Sequence, residues 1–532
     1  MTELLFRGKE FVYNHHLAVP HRPLVVDKGK SVGAPDLSGN LIIQGDNLHA
    51  LKALLPVYAG KVDCIFIDPP YNTGNEGWRY NDRVNAPMIK EWLNNNPVGV
   101  DDGLRHDKWC AMMWPRLKLL HELLAEDGVI FVCIDDNEVE NLKAIVSEIF
   151  HEDNHVATFI WETKRAARGV PPLSMVMTNH EYIVCFKKSE FRFNGIDRDE
   201  NDFSNPDDDA RGLWRSESIK ATGSQNNYFE IINPKDGACY YGNWAFSEKR
   251  IVEMIKDDLI IFPRNISGTP RQKKFIDSYI NDKKALTSHI GWYSTENSTK
   301  HLMSIFENNK VFGFPKPHDL VQFLISQSTS QNALILDSFA GSGTTAHAVL
   351  KANAEDNGNR KFILVEMEED IADTITAERV RRVISGYGKG DKAVEGTGGT
   401  FTYCTLGEAI HLERILSGKT LPDYADLAPV LFHMATNETL KPEGVKPDRF
   451  FVGSSLHDHV WMIYKPDLEW LKSDEAALTL SRAKAIFQTD PAKRHLVFAP
   501  ARFVSEKVLR QKKINLAFIP FPHSLYRIEK EG

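Results

Sequence analysis

LILDSFAGSGTTAHAVLKANAEDNGNRKFILVEME (Leu334–Glu368) reads as strand, glycine turn, helix and second strand. Such a βαβ unit sets two parallel strands side by side with the helix packed across them. Gly341 and Gly343 lie between strand and helix, and with Ala346 they complete G-x-G-x-x-A. That spacing lets backbone approach a ligand closely and turns helix amides toward an anion. A phosphate-cradling P-loop would need G-x-x-x-x-G-K-[ST], and the lysine is missing. A dinucleotide site stays open, because Glu366 ends the second strand where an acid would hold ribose hydroxyls. So does a plain tight turn that uses glycine for steric reasons alone.

A second stretch, VDCIFIDPPYNTG (Val62–Gly74), runs β-formers straight into Asp68, Pro69, Pro70 and Tyr71. A pair of prolines stops a strand and fixes the backbone that follows. Around it, NLIIQGDN, the helical LHALKALLPVYAG, the helical KWCAMMWPRLKLLHELLAEDG (which Pro115 would kink or divide) and the apolar VIFVCIDD keep a strand–helix rhythm. Apolar runs rather than strict alternation predict strands buried on both faces, as in a parallel sheet under helices.

The residues of the second stretch suit chemistry on an exocyclic amine of a nucleobase. The nitrogen lone pair of such an amine is delocalised into the ring. Acceptors on its N–H groups would localise it: the Asp68 carboxylate as one, the rigidly aimed carbonyl of Pro69 as the other. Tyr71 offers a ring for the base to stack on, once the base has left its duplex. A strand end with an aromatic plug is the plainer alternative. A sulfonium cofactor with an amino-acid end presents an ammonium, a carboxylate and a ribose diol. Asp337, the glycine turn and Glu366 match those needs, which favours S-adenosyl-L-methionine over a dinucleotide.

DPPY together with FAGSGTT resembles the amino-methylating DNA methyltransferases, and the order of the two motifs resembles their circularly permuted β group. QGDNLHALKALL and FPKPHDLVQFLI strengthen the likeness, which is greatest to modification subunits of Type III restriction-modification systems and covers most of residues 40–380. The resemblance implies a Rossmann-like, S-adenosylmethionine-dependent α/β sheet, circularly permuted. It implies site-specific methylation of adenine N6 in double-stranded DNA by base flipping, with cytosine N4 as the alternative. Asp68, Pro69, Pro70 and Tyr71 would hold the base. Asp337, Phe339, Gly341, Gly343 and Thr344 would line the methionine end of the cofactor, with Lys316 near it. Glu366 would take the ribose and Asp46 the adenine. A homodimer and a separate helicase-nuclease restriction subunit are the partners implied. Readings of other classes are an NAD-dependent oxidoreductase and a non-catalytic DNA-specificity subunit.

Texture divides the 532 residues. Residues 1–156 form the catalytic half and 300–388 the cofactor half of the methyltransferase domain. Residues 157–299, where turn residues, aromatics and charges mix, read as an inserted α+β target-recognition domain. A glycine-rich linker follows at 389–400, then a small α/β domain at 401–532 suited to oligomer or partner contacts. Within the insertion, Lys164, Arg165, Arg168, Arg271, Lys273 and Lys274 could grip phosphates, while Arg211, Gln225, Asn226 and Asn227 could read base edges. The net charge of −8 speaks against a coating-type nucleic-acid binder but allows a local basic cleft. Six scattered cysteines with no C-x-x-C pair predict neither disulfides nor a metal site. The first residues carry no apolar targeting segment, and no run of 18 apolar residues occurs. A cytoplasmic protein without a membrane span is therefore expected.

Overall fold

The computed structural model describes residues 3–73, 103–165, 175–222, 226–265, 267–279, 283–410, 421–436 and 438–521. Two compact units emerge: Met1–Arg192 with Thr287–Gly532, and Phe193–Leu286.

The first unit is built on a ten-stranded sheet. Its strands are β1 (Leu24–Val32), β2 (Leu41–Gln44), β3 (Val62–Ile67), β4 (Leu124–Ile134), β5 (His155–Glu162), β6 (His180–Lys187), β7 (His289–Trp292), β8 (Leu334–Asp337), β9 (Lys361–Glu366) and β10 (Phe401–Leu406). Their spatial order is β1-β10-β2-β9-β8-β3-β4-β6-β5-β7. From β10 to β4 all neighbours run parallel, whereas β1 and β6 pair antiparallel with theirs. The parallel centre is as apolar as its sequence: Ile43, Ile65, Ile67, Ile130, Val132, Ile363 and Val365 are buried in one core. Side chains alternate along a strand, so these residues share one face and Ile42, Phe66, Ile335 and Leu364 point to the other.

Helices cover both faces. Helix α1 (Asn47–Tyr58), α2 (Arg105–Leu123) and α3 (Val139–Phe150) supply Leu51, Leu54, Trp109, Trp114, Leu117, Leu142 and Val146 to the first core. Helix α4 (His318–Ser328) packs on β3, and α5 (Thr344–Asp356) packs on β9. Burying each such aliphatic side chain is worth roughly 1.5–3 kcal/mol. Helix α2 runs unbroken through Pro115. Asp46 caps α1, accepting from the amides of Leu48 and His49 at 2.9 and 3.3 Å.

Topology positions a crevice. The chain leaves β8 for β9 on one side, and leaves β3 for β4 on the other. β8 and β3 are neighbours, so their carboxyl ends flank the switch point where open α/β sheets bind ligands.

Two boundaries differ from the sequence reading. The sheet continues past residue 157 through β5, β6 and β7, and the inserted compact unit is the shorter Phe193–Leu286. The outer strand β5 is buried only in part, so it lacks the continuous apolar run of the centre. At the other end, β10 lies between β1 and β2 inside the main sheet rather than opening a separate domain at 401. Within the glycine-rich 389–400, Val394–Glu395 pairs back onto Gly386–Tyr387 as a small hairpin. After β10, a four-stranded sheet of Phe451–Ser454, Asp458–Met462, Arg494–Ala499 and Leu516–Pro520 forms around its own core. It belongs to the same unit as the main sheet.

The unit Phe193–Leu286 is of α+β type. Strands Trp214–Ser218, Ile260–Ile261 and Arg271–Phe275 form one small sheet, and Tyr228–Ile232 with Cys239–Asn243 form a hairpin. Helix Glu248–Lys256 lays Ile251 and Met254 on Ile219, Ile231 and Trp244.

Because β10 completes the sheet, a chain ending at residue 399 is expected to lose its cooperative thermal transition. A chain ending at residue 410, which keeps β10, should retain one. Circular dichroism melting of the two truncations checks this, and equal behaviour would contradict the place of β10.

Candidate active site

Asp337 and Glu366 end β8 and β9, and Asp46 and Asp68 follow β2 and β3 within two residues, at one edge of the parallel sheet. The edge is held together by buried polar ties. The Gly45 amide donates to the Glu366 carbonyl at 2.9 Å and the Ala340 amide to the Val365 carbonyl at 3.0 Å. Asn47 donates to the Ser338 carbonyl at 3.0 Å while accepting from Arg116 Nε at 2.6 Å. The turn after β2 and the turn after β8 therefore share one anchor.

Asp68 faces a cation. Lys316 Nζ lies 3.0 Å from Asp68 Oδ1 and 3.2 Å from Glu181 Oε2. The same ammonium stands over the Tyr71 ring, 4.6 Å from its centroid. The Tyr71 hydroxyl donates to Glu181 Oε2 at 2.9 Å. Burial pushes Asp68 above the ordinary carboxylate range, against the pull of Lys316. Burial also works against the Lys316 charge, but Asp68 and Glu181 outweigh it and the ammonium is stabilised overall. Burial raises the Tyr71 phenol well above its usual value.

The backbone of the DPPY turn is braced from below. Trp109 Nε1 donates to the Pro70 carbonyl at 2.7 Å. Asn72 is fully buried with φ 60°, and donates to Glu138 and, at 3.1 Å, to the Arg105 carbonyl. Glu138 also meets His106 at 2.7 Å and Asn141 at 2.8 Å.

Asp337 accepts from the Phe339 amide at 3.0 Å and from Thr345 Oγ1 at 2.6 Å. Burial, with help from Asp68 and Glu366, pushes it up to about 7. Glu366, also raised by burial, accepts from the Gly341 amide at 2.8 Å and the Glu368 amide at 3.0 Å.

Residues 62–378 match the DNA methylase family N6_N4_Mtase. The chain belongs to that family. It is 31% identical over 363 residues to the Type III restriction-modification enzyme StyLTI Mod subunit of Salmonella typhimurium, covering 64% of this chain and 54% of that one. It is 32% identical over 393 residues to the EcoPI Mod subunit of Escherichia phage P1, covering 64% and 59%. To the Type II methyltransferase M.KpnI of Klebsiella pneumoniae it is 28% identical over 380 residues, covering 66% and 85%. The chain thus spans little more than half the length of the first two relatives.

Several expected site residues have other partners. The Gly341 and Gly343 amides, read as open to a ligand, donate to Glu366 and, at 2.8 Å, to the Ala340 carbonyl. Gly343 has φ 75°, and a Cβ there would meet the Thr376 carbonyl oxygen at 3.2 Å, so glycine serves the turn and its packing. Thr376 sits in a π-helical turn (Ala372–Ala377) and donates to the Gly341 carbonyl at 2.6 Å. Thr344 Oγ1 accepts from Arg379 at 2.8 Å, on the buried side of the turn. The Asp46 carboxylate is the α1 cap. Phe339 packs half-buried against the main core.

The basic residues fare unequally. Lys273 is buried and ion-paired with Asp207, Asp209 and Asp258 at 2.5, 3.0 and 2.9 Å, so its charge is spent inside the fold. Arg271 is exposed and held by Ser216, and Lys274 lies 4.1 Å from the Tyr279 ring centroid. Lys164 and Arg165 are exposed just beyond β5, Arg165 over Trp292. Arg168 and Gln225 lie outside the described residues. Arg211 is tied to Asp209, and Asn227 braces the hairpin through Asn243, which leaves Asn226 exposed. No metal site was expected. Among the described residues His301, His318 and His347 gather, ring on ring at 4.3 and 4.8 Å and beside Arg379 and Lys351. No helix among the described residues is long and apolar enough to cross a membrane.

Sequence reasoning missed Glu181, Asn72, Trp109 and Glu138. Glu181 had a signal: a carboxylate within the otherwise apolar EYIVCF.

Asp337 generates a pH prediction. An acid raised in the folded state stabilises it below its unfolded pKa, near 3.9, and loses that contribution as pH rises through the folded value, near 7 here. The thermal midpoint of the unliganded chain should fall between pH 4 and 7 more steeply than that of Asp337→Asn. The difference in stability is up to about 4 kcal/mol. Parallel pH slopes in a calorimetric series would reject the assignment.

Proposed function

We propose that this chain transfers a methyl group from S-adenosyl-L-methionine to adenine N6 in duplex DNA, as the modification component of a Type III-like restriction-modification system. The observation that carries the proposal is the pairing of Asp68 and Asp337 across the switch point, with the Tyr71 ring beside Asp68. The resemblance of the DPPY turn to adenine-specific members and the Mod-subunit relatives support the choice of base and system; cytosine N4 is the nearest alternative.

The residues at the edge suit the cofactor. Asp337 is a buried carboxylate held near neutrality, and an ammonium beside it would draw it into its ionised form. Glu366, one strand over, is the acid for a ribose diol. When bound, the cofactor supplies a methyl group activated by a positive sulfur. The remaining work belongs to the chain. Asp68 accepts one N–H of the target amine. Among the described residues nothing donates to the carbonyl of Pro69, so it can accept the other. Two acceptors localise the nitrogen lone pair, and the braced turn holds them in place before the base arrives. The Tyr71 ring stacks on the base, recovering part of the unstacking cost. The excess proton of the methylated amine passes to Asp68, whose raised pKa suits a base.

Phe193–Leu286 is proposed as the target-recognition unit, with Arg271 and Lys274 as phosphate contacts. Lys164 and Arg165 are proposed for the same role from their own unit. Double-stranded DNA is the substrate, a second copy of the chain and a restriction helicase-nuclease the partners, and the cytoplasm the location.

Methylome sequencing of a host expressing the chain should reveal one N6-methylated adenine motif. An unmodified genome, or N4-methylcytosine, would overturn the assignment. Asp68→Ala should lower turnover by roughly 10²–10³ while leaving S-adenosylhomocysteine affinity within a few-fold. Tyr71→Phe keeps the ring but cuts the bond to Glu181, so it should fall between wild type and Tyr71→Ala. Light scattering should give a dimer for the full chain; a monomer that still methylates a specific site would remove the second copy from the proposal.

A further inference from the structure

One ammonium occupies both contacts that the base requires. Lys316 Nζ is 3.0 Å from Asp68 Oδ1 and 4.6 Å from the Tyr71 ring centroid. On the proposed reading of the site, on which this inference rests, the target amine donates to Asp68 and the target ring lies on Tyr71. Base and ammonium therefore compete for the same carboxylate and the same ring. Sending Lys316 away unpaired would strand a charge in a desolvated pocket, which proteins avoid.

A second carboxylate is in reach. Glu181 Oε2 is 3.2 Å from the same Nζ and also accepts from the Tyr71 hydroxyl at 2.9 Å. Glu181 stands near the start of β6, paired with Trp161 of β5 and one residue before the β4 pairing begins at Tyr182, so its backbone is fixed. On the same reading Asp337 and Glu366, which already hold Phe339, Thr345, Gly341 and Glu368, face the cofactor, which leaves Glu181 for the ammonium. A lysine ammonium on its flexible stem can shift its weight from one oxygen to the other while keeping a partner throughout.

We propose that Glu181 is a positioning residue for methyl transfer: it takes the Lys316 ammonium when the target amine takes Asp68. Asp68 is then freed for the amine, still in an environment that holds one positive charge nearby. Tyr71 links the two events, since its hydroxyl fixes the receiving carboxylate and its ring receives the base. No covalent bond forms or breaks in the exchange.

The test uses the full chain, tritiated S-adenosylmethionine and genomic DNA copied by a polymerase, which carries no methylated base. Glu181→Gln keeps the shape and removes the charge. Its KM for DNA should rise about tenfold or more, with kcat changed by less than about threefold and S-adenosylhomocysteine affinity by less than twofold. Glu181→Asp should recover part of the loss. In a Lys316→Met background there is no ammonium to receive, so adding Glu181→Gln should change KM for DNA by less than twofold. A wild-type KM in Glu181→Gln overturns the exchange. So does an equal KM penalty with and without Lys316, which would make Glu181 a structural support only. Absence of any transfer by the unmutated chain would instead bring down the reading of the site itself, and the exchange with it.

Discussion

The site depends on an imbalance of charge at the end of a parallel sheet. Asp68, Asp337, Glu366 and Glu181 gather there, and Lys316 is the cation placed among them, on Asp68 and Glu181. Isolated buried carboxylates would each cost several kcal/mol. The chain meets that cost in different ways. Asp337 and Glu366 receive backbone amides and, for Asp337, a threonine hydroxyl; Asp68 receives the ammonium. A cationic ligand end is favoured beside Asp337, and an amine donor beside Asp68. Their chemistry differs because their partners differ, although both are acids at the ends of adjacent strands.

Such a cluster needs a rigid floor, and the bracing of the DPPY turn supplies it. Asn72 holds a left-handed backbone conformation, which asparagine tolerates better than most side-chain-bearing residues. Its amide group is locked to Glu138 and the Arg105 carbonyl, and Trp109 fixes the Pro70 carbonyl. The local cost of that conformation is of order 1 kcal/mol, small beside the core of aromatic and aliphatic side chains packed around α2. The prolines limit the turn from within and the network limits it from outside.

Much of this was legible in the sequence because the central strands are buried on both faces. β3, β8 and β9 read as apolar runs ending in acids, and the glycine turn marked where the chain folds back. Legibility faded where burial became one-sided. β5, β6 and β7 sit among turn residues and charges, so the sheet's outer strands passed for part of the insertion. β10 was hidden by the glycine-rich segment before it. Side-chain partners were the least readable feature. Nothing in the spacing of Gly341 and Gly343 tells that Glu366 and Ala340 claim their amides, or that three aspartates from separate turns enclose Lys273. The Glu366 bond and the Lys273 cluster arise from contacts across 15 to 66 residues of sequence, and a local pattern carries no record of them.

The position of β10 ties the C-terminal region to the cofactor edge. β10 pairs with β2 from Thr402–Leu41 to Thr405–Gln44, and the next residue of β10, Leu406, packs where a Cβ on Gly45 would be, 2.6 Å from it. Gly45 in turn donates to the Glu366 carbonyl, and Asp46 caps α1 beside it. A continuous set of backbone contacts therefore runs from the strand that opens the C-terminal region to the acid proposed for the ribose. The C-terminal sheet also hangs on the core directly, through the Leu440 amide and the Pro56 carbonyl of α1 at 3.3 Å. A partner that bound the C-terminal sheet would thus bear on α1 through Leu440 and Pro56, at the far end of the helix that Asp46 caps.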